Sequence, residues 1–576
     1  MRPTLRPASC ALLALGLLWS DVAPLASVPA DLVLVNGAVY TADAARSWAS
    51  AIAVTGNRIR YVGDTATARS YVGPRTQVID LNGRMVLPGF QDSHSHPGMA
   101  PNPDTALDLH GLVKREQIFE KIQQYAVAHP EKPWIVGDGW DEVAFLPSGQ
   151  PTREMLDALV PDRPAYLTNN SGHEAWVNSR ALAMAHINPT TADPPNGRIE
   201  RNADGQATGA LQEESAMNLV AAQIPPATAT EALADLIAGL AEMTRLGYTA
   251  VVDAMATPAV AQAFQTLDAR GALQLRTRLC LPFNPDEDDA PQIAGFLAQR
   301  KALAGKRLRA DCVKIFLDGA YGSHTVVLLE PYTDDPGKFG RGQLFIEPAR
   351  LNRLVTQLDA AGFQVHVHAQ GDGAVRAALD AFAAARGVNG WHDNRHTIAH
   401  LCLIDAADIA RFRTLGVVAN FSPLWSRGDP WEAVFAPRLF GPERSQRIFQ
   451  TRTLLNAGVQ VVWGSDWPVT GVSALEGLET AVTHRYPGGI DPTGQADSVW
   501  NPLERLGLPE AIAAYTSTGA YLLHEEQSRG TIAVGKLADL VVVHANLFAT
   551  PVLELHSVPV DLTMIDGKIV FSRTTH

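Results

Sequence analysis

The chain has 576 residues and a formal net charge of −13, with 46% hydrophobic and 19% charged residues. This apolar content is too high for an intrinsically disordered protein. The chain is acidic overall and contains no run rich in Lys or Arg, so we expect no nucleic-acid partner.

Residues 1–30 have the layout of a secretory signal peptide. Arg2 and Arg6 precede the apolar run 11–19, and residues 28–30 are small enough for cleavage. Asp21 ends the apolar run well short of the roughly 20 residues that a membrane anchor needs. No later stretch is long and apolar enough to span a bilayer. We therefore expect an exported protein, periplasmic or secreted, with no membrane span in the mature chain.

Removal of this leader leaves Cys280, Cys312 and Cys402. Three thiols cannot form a disulfide framework, and each lies in an apolar run typical of a strand. We therefore expect three buried free thiols. Export without disulfides indicates a bacterial periplasm and a core large enough to need no covalent staples.

The two ends of the mature chain are alike in composition. Residues 31–84 carry short alternating strands with turns such as Asn36-Gly37, and residues 526–576 do the same around Asp566-Gly567. Neither end has enough strands for a stable sheet alone. We expect the two ends to pair into one composite β-sandwich domain.

Between these ends, over residues 85–525, strands and helices alternate. The alternation predicts an α/β fold, a (β/α)8 TIM-type barrel. The residues from about 101 to 230 are too many for one loop, so they predict an inserted subdomain after the first barrel strand, over the barrel mouth. The predicted barrel strands are 85–90, 248–255, 273–283, 313–318, 363–369, 396–401, 417–421 and 459–466.

Five of these strands carry ligand-type side chains within the strand or just after it. His94 and His96 come directly after the first strand, and residues i and i+2 of an extended chain share a face, so the pair can hold one ion. Lys314 lies within an apolar strand, where an unpaired ammonium is unfavourable. The other ligand-type residues are His368, His400 and Asp466. His366 also faces inward, but one layer deeper, and we assign it to core packing.

These motifs resemble the metal-dependent amidohydrolase superfamily, in particular its YtcJ-like branch, which includes N-substituted formamide deformylases. The resemblance covers nearly all of the mature chain. It depends on an ordered set of motifs: LPGFQDSHSH over 87–96, GWD over 139–141, SGH over 171–173 with NSRAL over 178–182, VKIFLDG over 313–319, HAQGD over 368–372 and WGSD over 463–466.

The resemblance implies a site with two Zn²⁺ ions, or another divalent metal. It places His94 and His96 on the more buried ion and His368 and His400 on the second, while Lys314 bridges the ions as a CO₂-derived carbamate. Asp466 is implied as a metal ligand and catalytic base. Zn²⁺ lowers the pKa of a bound water and polarises a carbonyl group, and Asp466 can pass the proton of that water to a leaving nitrogen.

Three further residues are expected at the substrate. We predict that His173 and His324 are catalytic and substrate-binding residues, one of which donates a hydrogen bond to the substrate carbonyl. We also predict that Trp140 binds substrate and forms a wall for the leaving group. The sequence departs from the family pattern at two positions. Ala399 precedes His400 where relatives often carry Glu. His324 stands where relatives commonly have Arg, so the family's substrate cannot be assigned to this chain from that position.

Taken together, the residues and the resemblance predict an exported metal-dependent amidohydrolase that hydrolyses a C–N bond of a small amide or an N-formyl or N-acyl compound. Three alternatives stay open: a mononuclear deaminase of the same fold with unmodified Lys314, an ester or lactone hydrolase, and a periplasmic binding protein without catalysis. The expected partner is the small-molecule substrate, and a homo-oligomer stays open.

Overall fold

The structure, a computed structural model, describes residues 28–100, 106–146, 148–428, 430–491, 497 and 499–573. The predicted leader lies outside the described residues, apart from residues 28–30. Eight parallel strands form the central sheet and confirm the predicted barrel. These barrel strands are, in chain order, Phe90–Ser95, Tyr248–Asp253, Arg276–Pro282, Leu308–Phe316, Gln364–Ala369, Thr397–His400, Val418–Phe421 and Val461–Trp463.

The eight strands follow one another in the sheet in chain order. The eighth and first strands meet where the Asp466 N–H donates to the His94 carbonyl at 2.8 Å, and this bond helps to close the barrel. Both faces of each strand are buried, because parallel strands are joined by helices that cover the outer face. Consecutive carboxyl ends therefore meet at one rim, where such barrels carry their functional residues.

Helices cover the outside of the barrel and fill the connections between its strands. The first of these begins with a reciprocal cap between Thr228 and Glu231. Residues 444–457 do not form one continuous helix, because Phe449 has a positive φ of 57° that no helix accommodates. The helices are Ala229–Arg245, Pro258–Ala269, Asp289–Ala302, Pro336–Phe339, Pro348–Ala360, Asp372–Asn389, Ala406–Leu415, Pro430–Ser445, Thr451–Asn456, Ala474–Thr483, Leu508–Tyr515 and Ser517–Leu522.

Two sheets built from both ends of the chain pack face to face. One contains Leu32–Val35, Ala51–Thr55, Arg58–Gly63 and Gln77–Asp80. The other contains Ala38–Tyr40, Trp48–Ala49, Met85–Pro88, Leu540–Val543, Val560–Ile565 and Lys568–Ser572. Their inner faces share one apolar cluster that includes Leu34, Ile52, Val86 and Val542.

The first barrel strand begins later than the sequence predicts. Met85–Pro88 pairs with Leu540–Val543 and Ala38–Tyr40 in the terminal sheet, and the barrel strand itself is Phe90–Ser95. One continuous apolar run thus supplies two strands, and Gly89 lies at their junction. A side chain there would collide with Thr249 at about 2.1 Å, so the chain changes sheets at the one residue that permits this approach.

The segment inserted after the first barrel strand has its own sheet and two apolar clusters. Its six strands are Leu107–Asp108, Ile135–Trp140, Ala165–Asn169, Glu174–Val177, Arg198–Arg201 and Ala207–Gln212. Its helices are Arg115–Ala128, Arg153–Leu159, Ser179–Met184 and Glu213–Ala221. This sheet and its clusters give the insert an apolar core separate from that of the barrel.

The cysteines differ from the expectation. Cys280 and Cys312 form a disulfide between the third and fourth barrel strands, whereas Cys402 is a buried thiol outside any disulfide, as predicted. The two bridged residues lie in register on neighbouring strands, a relation that the sequence does not reveal because they are 32 positions apart. Within the described part of the chain, no helix has both the length and the apolarity to cross a bilayer.

Candidate active site

The structure brings the six predicted metal ligands together at the carboxyl rim of the barrel. Asp466 Oδ1 lies 3.2 Å from Nε2 of both His94 and His96, and Asp466 Oδ2 lies 3.7 Å from His400 Nδ1. Lys314 Nζ lies 3.3 Å from His94 Nε2. The rings of His368 and His400 have centroids 4.3 Å apart, which places His368 in the same group.

Strand geometry explains this convergence. His94 lies within the first barrel strand and His96 two residues later, so both point to the barrel axis. His400 ends the sixth strand and has a positive φ of 77°. Asp466 follows the eighth strand and has a positive φ of 57°. Non-glycine residues rarely adopt such angles, and they cluster at functional sites.

The chemistry of the donor set fits divalent metal ions. Nε2 of His368 and Nε2 of His400 are buried and have no hydrogen-bond partner among the described residues. Burial lowers the pKa of both imidazoles well below the ordinary value, so both are in the neutral form that coordinates metals. Ligand atoms of His94, His96 and Asp466 also lie within 4.8 Å of one another. Neutral imidazoles beside a carboxylate are typical zinc ligands.

Lys314 is held in an environment that disfavours its ammonium form. It is 1% exposed, and burial lowers its pKa to about 7, although the charge of Asp466 acts in the opposite direction. A substantial fraction of the amine is therefore neutral near neutral pH. Burial alone would raise the pKa of Asp466, but the hydrogen bond from His96 and the neighbouring charges lower it overall, so this group is a carboxylate.

Two carboxylates and one histidine behind these ligands were not predicted as site residues. Asp318 accepts backbone N–H groups of Val327, Gln370 and Gly371 at 2.9–3.1 Å, and its Oδ1 lies 3.3 Å from His368 Nδ1. Such a carboxylate orients a ligating imidazole. Its position directly after the fourth strand, before Gly319, is the signal that the sequence offered.

Asp92 holds the backbone of His94, and His366 contacts its ring. The Asp92 Oδ1 atom accepts the N–H groups of His94 and Ser465, and burial raises the pKa of this carboxyl to about 7. Nε2 of His366 lies 2.8 Å from Nδ1 of His94. His366 is fully buried, as its assignment to the core implied, but it also positions a metal-ligand candidate.

The insert supplies His173 to the same centre. Its ring centroid lies 5.2 Å from that of His368, and its Nδ1 lies 2.8 Å from Oε2 of Glu213. Burial alone would lower the pKa of His173, but the Glu213 carboxylate raises it overall. Glu213 has a positive φ of 65° and also accepts hydrogen bonds from Ser323 and Thr325, so it joins the insert to the loop after the fourth strand.

Trp140 lies in the core of the insert. It is fully buried against Phe145 and Trp176, and its indole N–H donates to the Leu167 carbonyl at 2.9 Å. Its neighbours Asp141 and Glu142 line the cavity at the barrel mouth instead. This placement does not support Trp140 as a wall for the leaving group, because a large indole in a strand buries its ring on the apolar face.

His324 is likewise engaged away from the metal ligands. Its Nε2 lies 2.8 Å from Asp334 Oδ2, and its ring stacks on Phe339 with centroids 3.9 Å apart. The hydrogen bond to Asp334 and the stacked ring explain this orientation, which does not support His324 as a donor to the substrate carbonyl.

A cavity of about 360 Å³ lies between the insert and the barrel rim. Its lining combines His110, Asp141 and Glu142 of the insert with Trp425 and Trp467 of the barrel loops. The Trp425 ring is stacked on His400, with centroids 5.2 Å apart and planes inclined by 15°, so the cavity adjoins the metal-ligand candidates. Its size suits a small organic molecule.

Comparisons with known proteins agree with this geometry. A model described as the amidohydrolase family matches residues 77–571. The chain belongs to the amidohydrolase family. This amidohydrolase is 31% identical over 512 residues to the amidohydrolase YtcJ of Bacillus subtilis, with 88% of this chain and 92% of the relative covered. It is also 28% identical over 554 residues to the N-substituted formamide deformylase of Arthrobacter pascens, with coverage of 94% and 99%.

A solved structure supports the same assignment. The crystal structure of an uncharacterized metal-dependent hydrolase from Pyrococcus furiosus superposes with a TM-score of 0.67 at 25% identity, and the match covers 89% of this chain and 99% of the other. The family match and these relatives support a hydrolase with a metal-dependent centre and confirm the resemblance that the sequence motifs indicated.

Proposed function

We propose that this amidohydrolase is an exported dinuclear zinc enzyme that hydrolyses a C–N bond of a small amide, an N-formyl compound or an N-acyl compound. The observation that carries the proposal is the convergence of six ligand-type side chains at one rim, two of them with buried imidazole nitrogens that have no protein partner among the described residues. The relative named as an N-substituted formamide deformylase supports the substrate class.

The donor set divides into two halves. His94 and His96 would hold one ion, His368 and His400 the other, and Asp466 would complete the coordination. Lys314 would bridge the ions as a carbamate, since only a neutral amine adds CO₂ and the pKa of Lys314 is lowered to about 7. Bound Zn²⁺ would polarise the carbonyl of the substrate and lower the pKa of a water molecule.

The remaining chemistry belongs to protein groups. Asp466 is ionised and would accept a proton from water and pass it to the leaving nitrogen. His173 would donate a hydrogen bond to the carbonyl oxygen as negative charge develops there, and Glu213 would keep that imidazole protonated and oriented. The cavity beside Trp425 would hold the substituent on nitrogen.

Export stays part of the proposal. The signal-peptide pattern of residues 1–30 supports it, and so does the Cys280–Cys312 disulfide, because disulfides persist mainly in oxidising compartments. Fractionation of cells that express the full chain would test it, with N-terminal sequencing of the mature form. Recovery of an unprocessed chain in the cytoplasm would contradict export.

The activity is tested by removing metal with a chelator and restoring it with counted equivalents of Zn²⁺ and bicarbonate. We expect release of amine from N-formyl or N-acyl amines to require about two Zn²⁺ per chain. Asp466→Asn is the matched control, because it should bind metal yet turn over slowly. Full activity with one ion and no bicarbonate effect would favour a mononuclear deaminase, and exclusive cleavage of esters or lactones would change the substrate class. Zinc binding without any hydrolysis would favour a binding protein.

A further inference from the structure

A second group of metal-ligand type lies one layer below the candidate active site. Cys312 precedes Lys314 by two residues on the fourth strand and therefore shares its inward face, and Cys280 lies opposite Cys312 on the third strand. His366 lies opposite Lys314 on the fifth strand. One nitrogen of His366 and the two sulfur atoms lie within 4.8 Å of one another, and all three residues are fully buried.

His366 has a polar atom that the active site does not use. Its Nε2 is 2.8 Å from Nδ1 of His94, whereas its Nδ1 is buried without a hydrogen-bond partner among the described residues. A buried polar atom without a partner destabilises a fold. Because Nε2 is engaged with His94, Nδ1 is the nitrogen left for the neighbouring sulfur atoms.

We propose that reduction of the Cys280–Cys312 disulfide converts this group into a Cys₂His site for one thiophilic metal ion such as Zn²⁺ or Cd²⁺. A dithiol reductant would donate two electrons and two protons to the S–S bond and become a cyclic disulfide, leaving two protein thiols. Coordination of the divalent ion would then displace the two thiol protons to solvent. Two thiolates and an imidazole are ligands that soft metal ions prefer.

The new site is coupled to His94 through one hydrogen bond. Nε2 of His94 faces Asp466, so a metal at that nitrogen leaves the His94 proton on Nδ1, where it is donated to Nε2 of His366. A metal on Nδ1 of His366 leaves the His366 proton on Nε2. Two N–H groups would then oppose each other across 2.8 Å. Occupancy of the lower site should therefore weaken metal binding at His94, and this coupling, unlike the site itself, rests on the proposed function.

The test uses Cd²⁺ as the probe, because thiolate–cadmium bonds absorb in the ultraviolet and imidazole–cadmium or carboxylate–cadmium bonds do not give this band. The metal-free protein is reduced with a dithiol, freed of reductant and titrated with Cd²⁺. We expect reduction to release two thiols and to add one cadmium equivalent with the thiolate band. The oxidised protein and the Cys280→Ser/Cys312→Ser double variant should lack both, whereas Cys402→Ser should retain both as the matched control.

Three results would overturn the site: a disulfide that the dithiol cannot open in the folded protein, released thiols without the band, or a band that the double variant retains. The band is independent of hydrolysis, so it can appear even if the proposed activity is wrong. For the coupling, reduction and filling of the lower site should lower the zinc affinity of the upper site at least about 10-fold, the size of effect seen when the partner of a ligating histidine is disturbed. An unchanged affinity would refute the coupling.

Discussion

The His173–Glu213 pair allows a sharp test, because Glu213→Gln removes a charge with little change of shape. Oε1 of Glu213 accepts hydrogen bonds from Ser323 and Thr325, and Gln can keep that oxygen in place. Its NH₂ group would then face Nδ1 of His173, which must accept and cannot carry a proton. His173 would be neutral with its proton on Nε2, so the variant keeps a donor and loses the positive charge.

The expected loss follows from the strengths of the two kinds of hydrogen bond. A hydrogen bond to a charged group contributes about 1.5–3 kcal/mol and a neutral one about 0.5–1.5 kcal/mol. The difference of about 1–1.5 kcal/mol corresponds to a fall in kcat/KM of about 5- to 15-fold near neutral pH. The loss should shrink at lower pH. The Glu213 carboxylate raises the pKa of His173 in the wild type, whereas burial alone would lower it in the variant.

Stability provides a second readout in metal-free protein. Because the pKa of folded His173 is raised, its stabilising effect is complete below pH 6.5, the unperturbed value, and is lost as pH rises through the folded pKa. The gap in unfolding free energy between wild type and Glu213→Gln should therefore be wide near pH 6 and narrower at alkaline pH. Denaturant unfolding at several pH values measures it.

Glu214→Gln is the matched control, since Glu214 is exposed next to Glu213. It should leave kcat/KM, its pH profile and the unfolding free energy unchanged. The reasoning would be refuted if Glu213→Gln kept kcat/KM within about twofold at every pH, or if activity fell only in step with lost metal.

Four other substitutions test separate parts of the site. Lys314→Ala should lose zinc, as measured by metal analysis, and recover part of it and of its activity with short carboxylates; full zinc content without them would contradict the carbamate. Asp466→Asn should lower kcat by about 10²–10⁴-fold while most metal stays bound, and near-normal turnover would exclude it as the base. Asp318→Asn should weaken zinc binding at His368 by about 10- to 100-fold in a zinc titration, and unchanged binding would remove its positioning role. Trp140→Phe should lower the free energy of unfolding by at least about 1 kcal/mol with kcat/KM unchanged, and a selective loss of kcat/KM would return Trp140 to the substrate pocket.

The candidate ligands could be predicted because a barrel converts sequence order into spatial order. Each candidate lies near the carboxyl end of a strand or just after it, and all strand ends of a parallel barrel meet at one rim. His94 and Asp466 are 372 positions apart, yet their contact follows from that rule alone. The partners behind them could not be predicted in this way, because the contact of Asp318 with His368 depends on side-chain direction and loop shape.

Other differences between the predictions and the structure arise from tertiary contacts that a sequence motif does not specify. The disulfide joins residues on neighbouring strands, and only the strand register brings them together. Trp140 and His324 were placed at the pocket by motif position, but packing and hydrogen bonds direct their side chains elsewhere. Residues 85–90 were predicted as one strand, but they are divided between two sheets, each of which buries its part on both faces.

In the proposed site, metal binding and substrate contact come from different parts of the chain. All six ligand candidates lie on or next to barrel strands, whereas His173, Glu213 and one side of the cavity come from the insert. The two parts meet through the hydrogen bonds of Glu213 to Ser323 and Thr325, which fix the insert against the loop after the fourth strand. The insert can therefore vary its cavity lining and change the accepted substituent without moving a ligand. Substitutions at the strand ends, in contrast, would remove the proposed metal ligands.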